Sequence, residues 1–324
     1  MAGGKSGKIL LVAQSTRKLV TDYRDFVASL GDEQKERLQT RSDIKGVRHL
    51  TGHWGLILIV GVYIAVKAPL WQAALLVQGI LIIFTFTAMH ESIHWTAFRS
   101  KWLNGFVANV SGFLICLPPT NFRYFHYAHH RHTHDPDIDP ELTKPKPQTR
   151  LEYIFYVSGI PEWIYRLRGL FKNALRSNTD TFVPASGKNA VMREARIFLL
   201  AYAIMIMLCI VMQSTILIWV WLVPLLFGQP FMRMYLLTEH TLCPHVTNMF
   251  ENTRTTFTNS VVRLITWNMP YHAEHHTLPT VPFHQLAAFH KLTKEHLAAT
   301  QQGYARYHRD YFRAAADGSL PESL

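Results

Sequence analysis

The chain has 324 residues, of which 48% are hydrophobic and only 17% charged, whereas charged residues make up about 25% of an average soluble domain. Its net charge of +11 suits contact with nucleic acid or with anionic lipid headgroups. Three cysteines without a C-x-x-C pair argue against a disulfide framework or a zinc ribbon. The composition therefore favours a membrane protein or an unusually apolar globule.

The N-terminal segment, residues 1–49, has mixed charge and is predicted to be helical in part, with Ser29 or Asp32 as a helix start. Its first stretch, MAGGKSGKILLVAQ, has too short an apolar run for a signal peptide. Ala2 does not fit the myristoylation pattern, which requires glycine at this position. Nothing in this segment indicates chemistry.

Apolar stretches without charge predict four transmembrane helices in two hairpins. They occupy residues 50–66, 70–89, 196–212 and 215–232. Lys67-Ala68-Pro69 breaks the first pair, and the polar residues 213–215 break the second. One long tilted helix is the alternative for the second pair, but its uncharged run far exceeds the roughly 20 residues that one crossing needs. Pro224, Gly228 and Pro230 predict a kink in the last helix.

Three segments outside these spans also have helical patterns. Residues 103–119 are too polar and too short for a span, which predicts a re-entrant or interfacial helix. Residues 164–177 alternate apolar and basic side chains, as in a helix lying flat on a membrane or, equally, a packed surface helix. A helix is predicted over 284–300, before a C-terminal tail of residues 301–324.

The distribution of basic residues predicts the topology. Of the 33 lysines and arginines, only Lys67 falls in a predicted hairpin turn. The positive-inside rule then puts both termini, and the segments 90–195 and 233–300, on the cytoplasmic side. The histidine clusters lie in these same segments, so we expect them together in a cytosolic cap.

Three clusters of histidine dominate the polar part of the chain. They are H-x-x-x-H at His90 and His94, H-x-x-H-H at His126, His129 and His130, and H-x-x-H-H at His272, His275 and His276. On a helix, residues three or four apart share a face, so each cluster could direct several imidazoles to one side. Imidazole is the commonest protein ligand for iron, zinc and copper. A single histidine is usually an ordinary polar residue, but three clusters on one membrane face predict a metal centre.

Two other classes of protein compete with this interpretation. Residues 90–94 read H-E-x-x-H, the zinc-protease motif in which the glutamate, here Glu91, is the general base. Such a site needs only one more protein ligand, which leaves the two H-x-x-H-H triples without a purpose. A metal transporter would carry its ligands within the spans, and the predicted spans are poor in histidine. Eight histidines suit two irons with open positions for oxygen.

The boxes and their surroundings resemble the membrane fatty-acid desaturase superfamily. The likeness extends from about residue 50 to 300 and includes RYFHYAHHRHT at 123–133 and WNMPYHAEHH at 267–276. This resemblance implies an all-α integral membrane protein in which four transmembrane helices carry a cytosolic helical cap with a di-iron centre. Members of the family activate O2 to desaturate or hydroxylate an inert lipid chain.

The resemblance also implies a ninth ligand, a lone histidine after the last span, and this role falls to His240. The expected catalytic and metal-binding residues are therefore His90, His94, His126, His129, His130, His240, His272, His275 and His276. The asparagine that bridges a water four residues before this histidine in the acyl-CoA branch would fall on Leu236, and Asn268 is a candidate substitute. His132 and His134 exceed the motif, and we interpret them as residues behind the ligands or at the surface.

Several charged residues are candidates for supporting roles. Ligating histidines usually donate their second N–H to a carboxylate or a carbonyl, and we favour Glu91 and Glu274 for this role. The other carboxylates considered are Asp135, Asp137, Asp139 and Glu239, with a rigid acidic turn as the alternative for 135–140. The basic residues Arg123, Arg131, Arg254 and Arg263 could meet an anionic headgroup or an electron donor, or simply be solvated or face lipid. We expect His308, in the tail, to be replaceable with little effect.

The chain has no G-x-G-x-x-G fingerprint and no His-Pro-Gly-Gly haem stretch of a fused cytochrome b5. We therefore expect electrons to come from a separate ferredoxin or cytochrome b5 system, attracted by the basic cytoplasmic face. The predicted cofactors are two iron ions, with O2 as co-substrate and a lipid acyl chain as substrate. The predicted organisation is a cytosolic segment 1–49, a membrane domain 50–300 and a tail 301–324.

The predicted reaction is the introduction of a double bond into this chain. A hydroxylase, a terminal-alkene-forming decarboxylase and a carotenoid oxygenase are alternatives on the same scaffold.

Overall fold

A computed structural model of the protein describes residues 21–175 and 178–321, and in these ranges the chain is mostly helical. The helices are α1 (Tyr23–Ser29), α2 (Asp32–Gln39), α3 (Asp43–Ala65), α4 (Trp71–Ile83), α5 (Thr85–Ile93), α6 (Lys101–Leu114), α7 (Pro119–His132), α8 (Arg150–Val157), α9 (Ile160–Leu175), α10 (Ala185–Val211), α11 (Val223–His240), α12 (Met249–Asn252), α13 (Ser260–Ile265), α14 (His272–Thr277), α15 (Leu286–Thr293) and α16 (Tyr304–Asp317). Two short strands, β1 (Thr255–Phe257) and β2 (Thr300–Gln302), pair in parallel. The sequence MAGGKSGKILLVAQ lies outside the described residues.

The small sheet corrects two predictions. The protein is not strictly all-α, because Thr255 pairs with Thr300 at the start of the two strands. The helix predicted over 284–300 is correspondingly shorter: a 3₁₀ turn comes first, α15 ends at Thr293, and Thr300 already belongs to β2. Asp32, one of the two predicted helix starts in the N-terminal segment, is the first residue of α2.

Among the described residues, four helical segments are long and apolar enough to cross a membrane. They are Asp32–Ala65, Trp71–Ile93, Ala185–Val211 and Ile218–His240. Each overlaps one predicted span but extends beyond it at one end. The predicted spans were limited to uncharged sequence, whereas the helices continue into polar sequence. The second and fourth segments therefore include His90 and His240, which the predicted spans excluded. On α10, apolar side chains such as Ile210 and Val211 are 70% and 74% exposed, as lipid-facing residues would be.

The segment predicted as re-entrant forms a bent helix pair. Helix α6 ends at Leu114, and the chain turns by 101° into α7 at Pro119. The turn contains Cys116, whose φ is 55°, followed by Pro118 and Pro119, which cannot donate backbone hydrogen bonds and so prevent one continuous helix. This geometry fits the predicted re-entrant element and also a broken span. Its consequence for the site is that α7 carries the second histidine box back towards α5.

A glycine contact brings the second and fourth long segments together. A Cβ atom on Gly79 in α4 would lie 2.1 Å from the carbonyl oxygen of Pro224, and one on Gly228 in α11 would lie 2.1 Å from the carbonyl oxygen of Gly79. Only glycine permits this approach. A π-helical turn at Ile218–Leu222 precedes Pro224, and α11 continues through Pro230, so the kink predicted for this helix remains a prediction. The second long segment ends at Ile93, next to His94, and the fourth ends at His240, so their packing sets the distance between these histidines.

The predicted amphipathic helix 164–177 is observed as α9, and its last two residues lie outside the described ranges. Phe171 and Leu175 are 50% and 75% exposed, while Leu170 is buried in a core cluster. Arg166, which the pattern assigned to the polar face, is buried and bonds Glu162 and the carbonyl oxygen of Ile115. The interfacial position of this helix remains a prediction.

Candidate metal centre

The structure brings all nine predicted ligands into one cluster. The imidazoles form two groups, and within each group the ligand atoms lie within 4.8 Å of one another. The first group is His90, His94, His126, His130 and His275, and the second is His129, His240 and His276. His272 adjoins the second group, because its Nε2 lies 3.1 Å from Nε2 of His240. Seven of the nine side chains are buried, and His94 and His130 are half-buried. The nine imidazoles thus divide into five and four.

Each H-x-x-H-H box contributes to both groups. On α7, His126 and His130 are four residues apart and enter the first group, while His129 points to the second. On α14, His275 enters the first group, and His276 enters the second. Successive helical residues are rotated by about 100°, so neighbours such as 129 and 130 cannot reach one ion together. Each H-x-x-H-H box therefore supplies two adjacent groups, and the expectation that such a box directs its imidazoles to one side was wrong.

Hydrogen bonds behind the second group fix which nitrogens face inward. Nδ1 of His129 lies 3.0 Å from both oxygens of Asp139, and Nδ1 of His240 lies 3.2 Å from the carbonyl oxygen of Asn252. The hydroxyl of Thr133 donates its hydrogen to the carbonyl oxygen of His129. The same hydroxyl oxygen therefore accepts from Nδ1 of His276. Ionised carboxylate and carbonyl oxygens only accept, so these Nδ1 atoms carry the hydrogens. In the neutral imidazoles, the Nε2 atoms then present lone pairs.

These facing lone pairs fit a bound cation. Nε2 of His129 and Nε2 of His240 are 3.2 Å apart. Two nitrogens bound to one ion at about 2.1 Å, at angles of 90–110°, would be about 3.0–3.4 Å apart. In the first group, Nε2 of His130 lies 2.9 Å from that of His126 and 3.1 Å from that of His275. The spacing of the imidazoles is that of neighbouring metal ligands.

Unpartnered nitrogens in the cluster support the same conclusion. Within the described residues, Nε2 of His94 and Nε2 of His276 are buried and have no hydrogen-bond partner. A buried polar atom without a partner costs about 1–3 kcal/mol, which a bound metal would remove. Burial, reinforced by neighbouring imidazoles, lowers the pKa of His272, His275 and His276 well below the usual range. They are therefore neutral at pH 7, the form that binds metal.

The carboxylates favoured for orienting the ligands do something else. Glu91 accepts hydrogen bonds from the hydroxyl of Thr96 and the backbone N–H of Phe283. Glu274 bonds His290 and Thr255. Both preferences were wrong, because adjacency in sequence puts a helical side chain on a different face from its neighbour. Because Thr96 and Phe283 already engage the Glu91 carboxylate, this side chain is not free to act as the general base of a zinc-protease site.

Asp139 and Glu239 lie behind the ligands instead. Asp139 binds His129, and Oε1 of Glu239 lies 3.5 Å from Nδ1 of His272. Asp135 accepts the backbone N–H of Asp137, which is the acidic turn considered as the alternative. The turn brings Asp139 back beside His129 of α7.

The remaining candidates belong to neither of the two groups. His132 belongs to neither group, whereas His134 is buried beside them, with Nδ1 3.2 Å from the carbonyl oxygen of Pro244. Asn268 donates to the carbonyl oxygen of Phe283, so it does not replace the missing asparagine. Arg254 is buried and donates to carbonyl oxygens at the end of α11, which makes it unavailable to a headgroup.

His308 is also not a free surface residue. Its Nε2 lies 2.9 Å from the carbonyl oxygen of Met234, and its Nδ1 lies 3.0 Å from the hydroxyl of Tyr153. Helix α16, which carries it, packs on α8 and α11 and buries Tyr307 and Tyr311. Residues 304–317 of the predicted tail are therefore part of the folded unit.

A cavity of about 150 Å³ runs beside the two groups. At 10–15 Å³ for each water-sized group, it has room for roughly ten such groups. The apolar part of its lining, which we call the inner wall, includes Phe86, Leu117, Phe122, Leu236 and Met269, and four of the histidines also line the cavity. The charged part of its lining, which we call the outer wall, includes Glu141, Lys144, Lys146, Glu162, Arg166 and Arg233. No sequence pattern predicted this wall, although Glu141 and Lys146 follow closely after the second box.

The fold and the site thus define a helical protein with long apolar helices and two adjacent imidazole clusters beside a partly apolar cavity. Residues 67–309, three quarters of the chain, match the sequence model of the family described as fatty acid desaturase. The chain belongs to the fatty acid desaturase family, as its histidine boxes predicted. No curated protein matches the chain in a direct comparison. Family membership implies an oxidoreductase that acts on lipid.

Proposed function

We propose that this protein is an O2-dependent di-iron oxidoreductase that introduces a double bond into a lipid acyl chain. The observation that carries the proposal is the pair of imidazole groups, five and four, on the wall of one cavity. The nine histidines are the proposed ligands, with His272 joining the second group. Two iron ions held there would supply the O2 activation by which hydrogen is removed from an unreactive chain.

The protein's own contribution is to hold the ligands and to shape the cavity. Asp139 and Asn252 fix the tautomers of His129 and His240, so that both present Nε2 to the centre. Phe86 and Phe122 pack edge to face on the inner wall, with ring centroids 5.3 Å apart, and Phe122 stacks on His126. This apolar surface would exclude water from the chain beside the histidines.

We propose that the polar end of the substrate binds at the outer wall of the cavity. Glu162 there pairs with Arg166, Arg233 and Lys144. Burial alone would raise the pKa of Glu162, but the three cations together lower it, so this carboxylate is ionised at pH 7. Lys146, paired with Glu141, is the fourth cation. Four cations against the three carboxylates that line the cavity, Glu141, Glu162 and Glu239, leave a positive excess that suits an anionic or strongly polar headgroup.

Replacing Lys144 by methionine tests this orientation. We expect the KM for a free fatty acid to rise about tenfold, as for the loss of one charged hydrogen bond, and the KM for its methyl ester to stay unchanged. Lys172→Met, on the exposed surface of α9, is the matched control. Equal effects on the acid and the ester would contradict the proposed orientation.

Metal content and product analysis test the function itself. Detergent-purified protein, grown with iron and zinc both supplied, should contain about two irons per chain. Incubation with lipid extract, a reductase and ferredoxin or cytochrome b5 should then yield unsaturated product. About one zinc and little iron would overturn the proposal. A hydroxylated lipid, a terminal alkene or an oxygenated carotenoid would retain the di-iron centre and change the reaction.

We further propose that the four long segments cross the membrane, with termini, metal centre and electron-donor site on the cytoplasmic side. The division into an N-terminal segment 1–49, a membrane domain 50–300 and a C-terminal segment 301–324, whose helix α16 packs on that domain, belongs to the same proposal. In a Cys209→Ser background, a cysteine introduced at Lys67 should react with an impermeant maleimide on intact cells. A cysteine at Arg41, at the opposite end of α3, should react only after permeabilisation. The reverse pattern would invert the topology.

A further inference from the structure

One carboxylate lies beside the second group, close to His129. Oε2 of Glu141 is 3.4 Å from Nε2 of His129, the atom that also faces Nε2 of His240 at 3.2 Å. Glu141 lines the cavity, and its side chain is 27% exposed there. It therefore has access both to the ligand atoms and to the space where a substrate would lie.

The chain holds Glu141 in this position through the same residue that orients His129. The carboxylate of Asp139 binds Nδ1 of His129, and its Oδ1 also accepts the backbone N–H of Glu141 at 2.9 Å. Pro140 then starts a 3₁₀ turn that presents Glu141 beside the cluster. On the other side, Nζ of Lys146 lies 3.5 Å from Oε1 of Glu141. One oxygen is thus engaged by a lysine, and the other faces the ligand atoms.

We propose that Glu141 is a ligand of the second metal, alongside His129, His240, His272 and His276. The inference rests on the proposed di-iron function. The separation of 3.4 Å is within the range expected for two ligands of one ion. The first group has five imidazoles and the second has four, so a carboxylate oxygen gives both sites five protein ligands. The two metals would then differ, one with nitrogen ligands only and one with mixed ligands.

The residue at the expected alternative position cannot take this role. Leu236, four residues before His240, also lines the cavity and has no atom that can bind a metal or a water. Carboxylate oxygen is a suitable ligand for iron beside imidazole nitrogen. Glu141 thus supplies, from the loop after α7, a polar atom that α11 lacks.

The test compares Glu141→Gln with Glu162→Gln, which alters another glutamate of the same cavity wall that does not contact a histidine. Each protein is purified with ⁵⁷Fe, and iron per chain, the rate of iron loss to a chelator and the Mössbauer spectrum are measured. We expect one of the two irons of Glu141→Gln to be lost at least tenfold faster. Its signal should change while that of the other iron persists, and Glu162→Gln should match the wild type.

Two further variants separate ligation from a structural role. Lys146→Met removes the ion pair but keeps the carboxylate, so it should retain both irons if Glu141 is a ligand. Glu141→Asp keeps the charge but shortens the side chain by one methylene group, so it should also weaken the binding of one iron. If the wild type holds two irons and the Glu141 variants keep both, with unchanged spectra and loss rates, this inference fails alone. A wild type without two irons would instead overturn the proposed function.

Discussion

Asp139 binds His129 from behind, with both carboxylate oxygens 3.0 Å from Nδ1 of the imidazole. The same carboxylate accepts the backbone N–H groups of His134 and Glu141. Asp139 is buried, so these hydrogen bonds are shielded from water. Hydrogen bonds are stronger in the protein interior than in water. One side chain therefore fixes the tautomer of a proposed ligand and the path of the loop beside it.

Replacing Asp139 by asparagine should weaken the second metal site. The amide cannot accept from Nδ1 of His129 through both of its terminal atoms, so the imidazole loses its fixed tautomer. Loss of such an outer partner typically costs 10–100-fold in metal affinity, and we expect a loss in this range, measured by chelator competition. Asp137→Asn, an exposed acid of the same turn, is the control and should match the wild type. Unchanged affinity in both variants would contradict an orienting role.

The two histidine groups should be separable by mutation. His275→Ala removes a ligand of the first group and His129→Ala one of the second, so each should abolish activity and lower the iron content by about one per chain. His132→Ala, outside both groups, should retain iron and activity. Elemental analysis of the purified variants, with a product assay on the same samples, measures the effect. Full activity in either ligand variant would exclude that histidine as a ligand.

The sequence predicts well those features that depend on local pattern. Uncharged apolar runs locate the four long helices, and the spacing of His126, His129 and His130 indicates histidines that the structure brings together with those of the other boxes. The division of each box between two groups follows from helical rotation, yet it depends on where α5, α7, α11 and α14 meet. That arrangement is set by contacts between distant residues, such as Gly79 with Pro224, which no local pattern contains.

The wrong predictions share one physical cause. Glu91 and Glu274 are adjacent to ligands in sequence but bond Phe283 and Thr255, which are distant along the chain. His308 lies in a polar stretch, which predicted exposure, but α16 is amphipathic and packs this face on α8 and α11. In each case a tertiary partner, invisible to spacing and composition, determined the environment of the side chain.

The glycine contact between α4 and α11 predicts a large effect of a small substitution. Gly79→Ala would put a methyl group 2.1 Å from the carbonyl oxygen of Pro224, so the two helices must separate. Overpacking of this kind typically costs about 1–3 kcal/mol or more. We expect a clearly lower thermal midpoint and loss of iron, because His90 lies on α5, in the same long segment as α4, and His240 lies on α11. Gly55→Ala on α3 has no atom within 4 Å of the new methyl group and should leave both quantities unchanged.

His308→Ala should destabilise the protein in a pH-dependent way. The variant loses the hydrogen bonds to Tyr153 and Met234, and the buried partners left behind cost about 1–3 kcal/mol. Burial lowers the pKa of His308 to about 4, from 6.5 in the unfolded chain. Below pH 6.5 the unfolded state takes up a proton first, so the stability contributed by His308 is complete above pH 6.5 and is lost as the pH falls towards 4. Thermal midpoints of wild type and variant should therefore differ by several degrees at pH 7.5 and converge by pH 4.5, and taking the difference cancels the protonation of the other histidines.

His245→Ala, an exposed position, serves as the control, and a difference independent of pH would show that His308 is not buried in its neutral form.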